Sequence, residues 1–503
     1  MKQLLCATFE GIDAKTVEVQ FTATKGLPAF TIVGMANTAI NESKERVKSA
    51  LLGNSFTFPP KRLTVNLAPS DLRKEGSHFD LAIASLIALG NDESSQEGWY
   101  VFGELGLDGS VTENTLLYPI ILSLANQGAI KRAIVPALSL SKLSKIPGIA
   151  FYGVNTLTEA LNLLRAQEIP QSPVERSEFD FERVVHDAKA YFYHEEYPLD
   201  FCDIRGQEHA KRAALIAAAG MHNLLLEGSP GSGKSMIAKR IRHILPPLHN
   251  DEMLDCAKLD ILEGKEPAFA PLRPFRSPHH TSTGASIFGG GTHKAQIGEV
   301  GLAHNGILFF DELPHFSKTI LEALREPLED RHIRISRVNA KVTYDADFLF
   351  VAAMNPCPCG NLFSTSVPCR CSDIEINRYR SRLSDPFLDR IDLYVQMHPI
   401  SSDDKPGIGS KELHARVRQA FLRQKQRGQE RLNGSLSDAD VARHCTLDPE
   451  AQQVIDQAIG RFSLSFRAVG RLLKVARTIA DIEDSESIRK EHLLEALSYR
   501  RRA

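Results

Sequence analysis

The sequence predicts an α/β protein: a parallel-sheet core, preceded by an α+β domain and followed by a helical one. Three observations predict it. MHNLLLEGSPGSGKSMIAKRI, beginning at Met221, runs strand, glycine loop, amphipathic helix. GILFFDE (Gly306 to Glu312) and FLFVAAMNP (Phe348 to Pro356) are short apolar runs of the kind that form strands buried on both faces. After about Ser410 the apolar residues take helical spacing, in KELHARVRQAFLRQKQRGQERL, AQQVIDQAIGRF and RAVGRLLKVARTIADI.

Before the core, Val17, Val19 and Phe21 alternate with polar residues, as do Leu63, Val65 and Leu67, which is the period of half-buried strands. FDLAIASLIALG reads as a buried helix stopped at Gly90, and IKRAIVP as another strand. Residues 166–199 are polar, hold three prolines and lack sustained periodicity, so they are expected to link the segments, in part ordered against their neighbours. The expected organisation is therefore 1–165, a linker at 166–199, a core at 200–400 and a helical domain at 401–503.

At 503 residues with 43% apolar side chains there is ample material for several cores. The net charge of −2 excludes a globally basic nucleic-acid coat, so any such contact has to come from local patches. No unbroken apolar run reaches the roughly 18 residues of a membrane span. The opening MKQLLCATFEGIDAK meets acidic residues too early for a signal peptide, and a cytoplasmic protein without membrane contact is expected.

The loop Gly228, Ser229, Pro230, Gly231, Ser232, Gly233, Lys234 and Ser235, with Met236 opening the helix, has the composition of a phosphate cradle. Glycines let backbone N–H groups close on phosphate oxygens, and a lysine supplies a point charge to the β- and γ-phosphates. A serine hydroxyl reaches Mg²⁺, and the helix N-terminus adds a favourable dipole. ATP and Mg²⁺ are thus the expected ligands. Asp311 and Glu312 end a strand at the edge where ligands bind in open α/β sheets; Asp311 is expected to hold the metal through water, and Glu312 to deprotonate the attacking water. Asn355 ends the next strand as a polar group able to orient that water. Arg390, in DPFLDRIDL, is expected on an exposed edge, either reaching a neighbouring subunit's γ-phosphate or pairing with Asp389 or Asp392.

In DRHIRISRVNAKVTYDADF two strands flank a turn, placing Arg334, Arg337 and Lys341 to meet nucleic-acid phosphates or, alternatively, to guard a sheet edge. Lys294, in GASIFGGGTHKAQIG, is a weaker candidate for the same contact. The basic helix after Ser410 reads as a solvated face. CPCGNLFSTSVPCRC spaces Cys357, Cys359, Cys369 and Cys371 as two C-x-C pairs, which suits a tetrahedral zinc site, with reduced thiols or a redox pair as the alternative. His279 and His280 are set aside as ligands because adjacent side chains on a regular element point apart.

Jointly, DIRGQEHAKRAALIAAAG, RPFRSPHHTST, GEVGLAHNGILFFDELPHF, LREPLED, AAMNPCPCG, SDPFLDRIDL and LSFRAVGRLLKVARTIADIE resemble the signatures of the AAA+ superfamily, and more closely the magnesium-chelatase-like ComM/YifB family. The resemblance covers nearly the whole chain. It implies an AAA+ core with helical lid, a Lon-protease-like N-terminal domain of ribosomal-protein-S5 type, and a homohexameric ring with ATP between subunits. It also implies Gln207 near the adenine, Arg390 as the finger, and Arg467 as the sensor-2 arginine with Arg471 as its rival. The implied activity is an ATP-driven DNA helicase acting on single-stranded and branched DNA during recombination or natural transformation. A chelatase-like remodeller of a protein partner is the alternative. In the Lon-like segment KEGSHFD, His78 stands where the family's protease serine belongs, Ser77 is one place early, and Tyr118 falls near the lysine's position, so no peptide cleavage is expected.

Overall fold

The computed structural model describes residues 2–11, 13–56, 58–90, 98–166, 178–290, 297–336, 341–364, 367–399, 405, 407–462 and 464–501. The chain forms two compact units, Met1–Asp180 with Ala257–Ala268, and Phe181–Cys256 with Phe269–Ala503.

The first unit is built on strands β1 (Lys2–Glu10), β2 (Asp13–Thr24), β3 (Ala29–Val33), β4 (Arg62–Ala68), β5 (Tyr100–Val101), β6 (Glu104–Leu105), β7 (Val111–Thr112), β8 (Arg132–Pro136) and β9 (Ala150–Val154). Seven of them make one mixed sheet in the order β3-β4-β2-β1-β5-β8-β9, and β6 pairs with β7. Val17, Val19 and Phe21 fall on the buried face of β2, and Leu63, Val65 and Leu67 on that of β4, as their alternation predicts. The helix Asp80–Leu89 is buried almost all round and stops at Gly90, whose φ of 45° is the left-handed conformation glycine adopts freely.

The second unit contains β10 (Glu182–His186), β11 (Lys189–Tyr193), β12 (Leu224–Gly228), β13 (Leu248–His249), β14 (Phe275–Arg276), β15 (Ile307–Phe310), β16 (His332–Ser336), β17 (Lys341–Asp345), β18 (Leu349–Met354) and β19 (Leu393–Met397). Its central sheet is five-stranded and all parallel, in the order β14-β15-β18-β12-β19. Such a sheet needs both faces covered, and the strands split their side chains between two cores. Leu224, Leu226, Ile307, Phe309, Val351 and Ala353 face one core; Leu225, Leu308, Phe310, Phe350 and Ala352 face the other. The helix Phe466–Ile482 packs Leu472, Val475, Ala476 and Ile479 into the first core at helical spacing. Among the described residues no helix is long and apolar enough to cross a membrane.

Within residues 166–199, β10 and β11 pair as an antiparallel hairpin, and β11 also pairs with β13. The basic helix, observed as Ser410–Gln426, differs from a solvated face. Arg416, Arg418 and Arg423 pair with Glu412, Glu195 and Asp484, Arg427 just beyond its end pairs with Asp481, and Arg418 also lies 4.1 Å over the Tyr193 ring. Its charge is largely neutralised within the chain.

Three histidines cluster against this helix: the His194 ring lies 5.7 Å from His243 and 6.0 Å from His414. Burial, reinforced by Arg418, pushes His414 down to about 3, and burial with His194 alongside pushes His243 down to about 4. Among the described residues His243 Nδ1 is buried without a partner, so a proton added there gains no acceptor, and at His414 a hydrogen bond with the Leu245 backbone opposes burial without overcoming it. Both rings are neutral in the fold, whereas unfolded histidine titrates near 6.5. The unfolded chain therefore binds more protons below that pH, and stability should fall as pH drops from about 6.5 toward 4. Calorimetric melting across that interval should show a falling midpoint, and His414→Gln should flatten the slope. An unchanged slope in that variant would remove this cluster as the cause.

Candidate functional site

The strand order turns at β12, which lies between β18 and β19 although both follow it in the chain. Crevices at such a point, beyond the strand C-termini, are where open α/β sheets hold ligands. β12 ends at Gly228, the loop follows, and the helix Lys234–Ile241 starts with Gly233 as its N-cap. Gly231 and Gly233 have φ of 79° and 94°, the left-handed region where a side chain is strained. A Cβ on Gly228 would come within 2.7 Å of Ser232 Oγ. The loop thus closes tightly because its glycines lack side chains.

Lys234 is 8% exposed, and its ammonium donates to Gly228 O at 2.6 Å, Ser229 O at 2.9 Å and Asn355 Oδ1 at 3.2 Å. Burial holds its pKa below the usual lysine value, against the opposing pull of Asp311 and Glu312. Ser235 Oγ donates to Asp311 Oδ2 at 2.8 Å. Among the described residues Ser229 Oγ and Ser232 Oγ are buried with no partner. Two orphaned hydroxyls, a buried ammonium bonded to carbonyl oxygens, a serine–carboxylate pair and a helix N-terminus fit a nucleotide phosphate with its divalent cation. Met236 is 42% exposed on the first turn of that helix.

Glu312 follows Asp311 in a left-handed conformation, φ 53°, which non-glycine residues hold only where their surroundings impose it. His280 Nδ1 lies 3.6 Å from Glu312 Oε2. The rings of His279 and His280 are 4.2 Å apart, contrary to the expectation that neighbours point away from each other; they sit in a loop, where the alternation of a strand does not apply. Gln207, also left-handed, stands at the N-cap position of the helix Glu208–Gly220, and its side chain donates to His398 O at 2.6 Å.

The arginines gather elsewhere. Arg390 and Arg467 both pair with Glu329, and Arg471 pairs with Asp389 at 3.4 Å. Arg390 therefore takes neither of the two aspartates considered from sequence. Burial raises the Glu329 pKa, but the two guanidiniums outweigh it and pull the carboxyl below its usual range. Sequence reasoning missed Glu329 as their common acceptor; LREPLED, where it lies, was the available signal.

Arg334 is exposed on β16, which pairs antiparallel with the β17 strand opened by Lys341. Arg337 and Lys294 lie outside the described residues. Cys357, Cys359, Cys369 and Cys371 come together: Sγ–Sγ distances are 3.4 Å for Cys357–Cys359 and 3.6 Å from Cys369 to each of those two, and all four sulfurs lie within 4.8 Å of one another. Hydrogen bonds from the backbone of Arg370 and Asn361 pull the Cys359 thiol down to about 6, whereas burial and the neighbouring thiols push Cys369 up and Cys371 up to about 12, so of these three sulfurs only Cys359 is eased toward the thiolate. Four mutually adjacent thiols fit a tetrahedral zinc ion.

In the first unit, Ser77 Oγ donates to Glu104, while the Lys74 ammonium donates to Pro69 O. His78 Nε2 lies 2.8 Å from Ala7 O, burial pushing its ring down to about 4, and Tyr118 is buried.

Three family profiles match. "Magnesium chelatase, subunit ChlI" covers residues 200–405, "Subunit ChlI of Mg-chelatase" covers 17–139, and "Magnesium chelatase, subunit ChlI C-terminal" covers 407–500. Competence protein ComM of Haemophilus influenzae is 38% identical over 97% of this chain and 95% of its own length. YifB of Escherichia coli shows 38% identity over the same shares. A magnesium-chelatase 67 kDa subunit of Heliobacterium mobile is 23% identical over 31% of this chain and 28% of its own. Near-complete coverage by ComM and YifB joins a parallel sheet that carries its glycine loop where the strand order turns, and the chain belongs to the ComM/YifB family of magnesium-chelatase-like AAA+ ATPases.

Proposed function

We propose that this protein is an ATP-driven motor on DNA, acting as a homohexameric ring that promotes branch migration or unwinding of single-stranded and branched DNA during recombination or natural transformation. The observation that carries the ATPase half is the convergence of Lys234, Asn355, Ser235 and Asp311 at the point where the sheet order turns. The DNA half rests on relatedness to a competence protein and on the exposed Arg334 of the β16–β17 hairpin.

In this reading Gly228–Ser235 and Met236 surround the triphosphate, and Gln207 lies by the adenine. Lys234 places its charge on the β- and γ-phosphates. Ser235 and Asp311 would hold Mg²⁺, which neutralises charge on the phosphate oxygens. Glu312 takes a proton from the attacking water, which Asn355 orients. Arg390 leaves its carboxylate to reach a neighbouring subunit's γ-phosphate, and Arg467, or its rival Arg471, serves as the sensor-2 arginine, an arrangement in which only the assembled ring hydrolyses rapidly. Arg334, Arg337, Lys341 and Lys294 would meet DNA phosphates in the pore, and Cys357, Cys359, Cys369 and Cys371 would hold a structural zinc. The domains are residues 1–165, an S5-type domain without peptidase activity; 166–199, a linker; 200–400, the core; and 401–503, the lid. The cytoplasm is its proposed compartment. The profile matches to magnesium-chelatase subunits favour a second reading, a remodeller of a protein partner indifferent to DNA.

Glu312→Gln should bind ATP yet hydrolyse it at least about 100-fold more slowly; wild-type turnover in that variant would remove Glu312 as the base. Strand exchange on a synthetic four-way junction should require ATP. Arg334→Ala and Lys341→Ala should each reduce DNA-stimulated turnover while leaving basal turnover intact. Turnover indifferent to DNA in the wild type would favour the remodeller.

A further inference from the structure

The cysteine cluster lies against the phosphate-binding loop, and the contact is specific. Cys357 and Cys359 sit in a single tight turn closed by Gly360 N–H donating to Cys357 O at 3.0 Å. Gly360 takes a left-handed φ of 79°, and a Cβ built on it would lie 2.5 Å from Pro230 Cδ and 2.7 Å from Pro230 Cγ. The turn therefore seats its glycine directly on the ring of Pro230, a residue of the loop. The same turn begins two residues after Asn355, the side chain that accepts from the Lys234 ammonium. One short segment thus touches the loop at both ends, through Pro230 and through Lys234.

The other two thiols, Cys369 and Cys371, come from farther along the chain, so a partner common to all four sulfurs would tie the turn to that second segment. A metal cross-link would remove the conformational freedom of the intervening segment and fix the turn in place. Within the loop Lys234 ties down the Gly228 and Ser229 carbonyls, whereas the ring of Pro230, the next residue, meets the turn at Gly360.

We propose that the four cysteines form a zinc clamp on the phosphate-binding loop: zinc fixes the Cys357–Gly360 turn, the turn holds Pro230 and Asn355, and nucleotide affinity depends on the clamp being loaded. The proposal deepens the ATPase reading and rests on Gly228–Ser235 being the nucleotide loop. The cysteine site is a positioning device that touches neither phosphate nor water.

The test uses the full-length wild type, elemental analysis for zinc, and titration with a fluorescent ATP analogue. About one zinc per chain is expected. Stripping it with an organomercurial and chelator, then reducing the thiols, should weaken nucleotide binding about tenfold, a change of roughly 1.4 kcal/mol, and zinc alone should restore it. Gly360→Ala, which keeps all four cysteines but pushes a methyl into Pro230, should retain its zinc and still bind the analogue about tenfold more weakly. It tests the contact between the turn and the loop even if stripped protein unfolds. Full affinity in folded zinc-free protein, or in Gly360→Ala, overturns the clamp, and wild type purified from zinc-replete cells without zinc overturns the metal. Lys234→Ala separates the two readings: if it binds the analogue as tightly as wild type, the loop assignment fails whatever the zinc measurements give.

Discussion

Parallel pairing of β12 with β18 on one side and β19 on the other is the constraint from which the site follows. Parallel strands have evenly spaced, slanted hydrogen bonds and need crossover connections, which send the intervening helices onto both faces. All five strands then point their C-termini the same way. Gly228, Asp311 and Asn355, each at or just past the end of its own strand, arrive at one edge from distant parts of the sequence. A one-residue slip of β12 would exchange Leu224 and Leu226 with Leu225 between the two cores, so register is held by packing on both sides at once.

What the sequence made legible was the chemistry whose spacing is local. Glycines at 228, 231 and 233 before Lys234 announce a loop because only glycine takes those backbone angles and tolerates that closeness. An apolar run ending in Asp311 and Glu312 announces a strand terminus. The alternation in β2 and β4, and the helical spacing around Leu472 to Ile479, are periodicities of a single element and were likewise readable.

The remainder depends on pairs brought together only by the fold. Nothing near Arg390 or Arg467 in sequence names Glu329, which meets them across the tertiary structure. Pro230 and Gly360 are ordinary turn residues until the sheet sets one on the other. The hairpin at β10–β11 sits in a polar, proline-bearing stretch, and what holds it is pairing with β13 together with ring contacts such as Tyr191 on Phe421, at 5.1 Å. The basic helix looked solvated because its acidic partners, Glu195, Asp481 and Asp484, come from elsewhere in the chain.

Glu329 gathers two guanidiniums on a single carboxylate at a partly exposed position, the Arg467 side chain being 52% exposed and Glu329 41%. Exposed pairs of this kind contribute only about 0–1 kcal/mol, because water competes for both charges. The Arg467 side is of this kind, and that pair can part at little cost. The Arg390 side is not, its side chain being only 12% exposed, so one carboxylate holds one guanidinium loosely in water and the other largely out of it. A single acidic residue thereby gives its two partners unequal freedom.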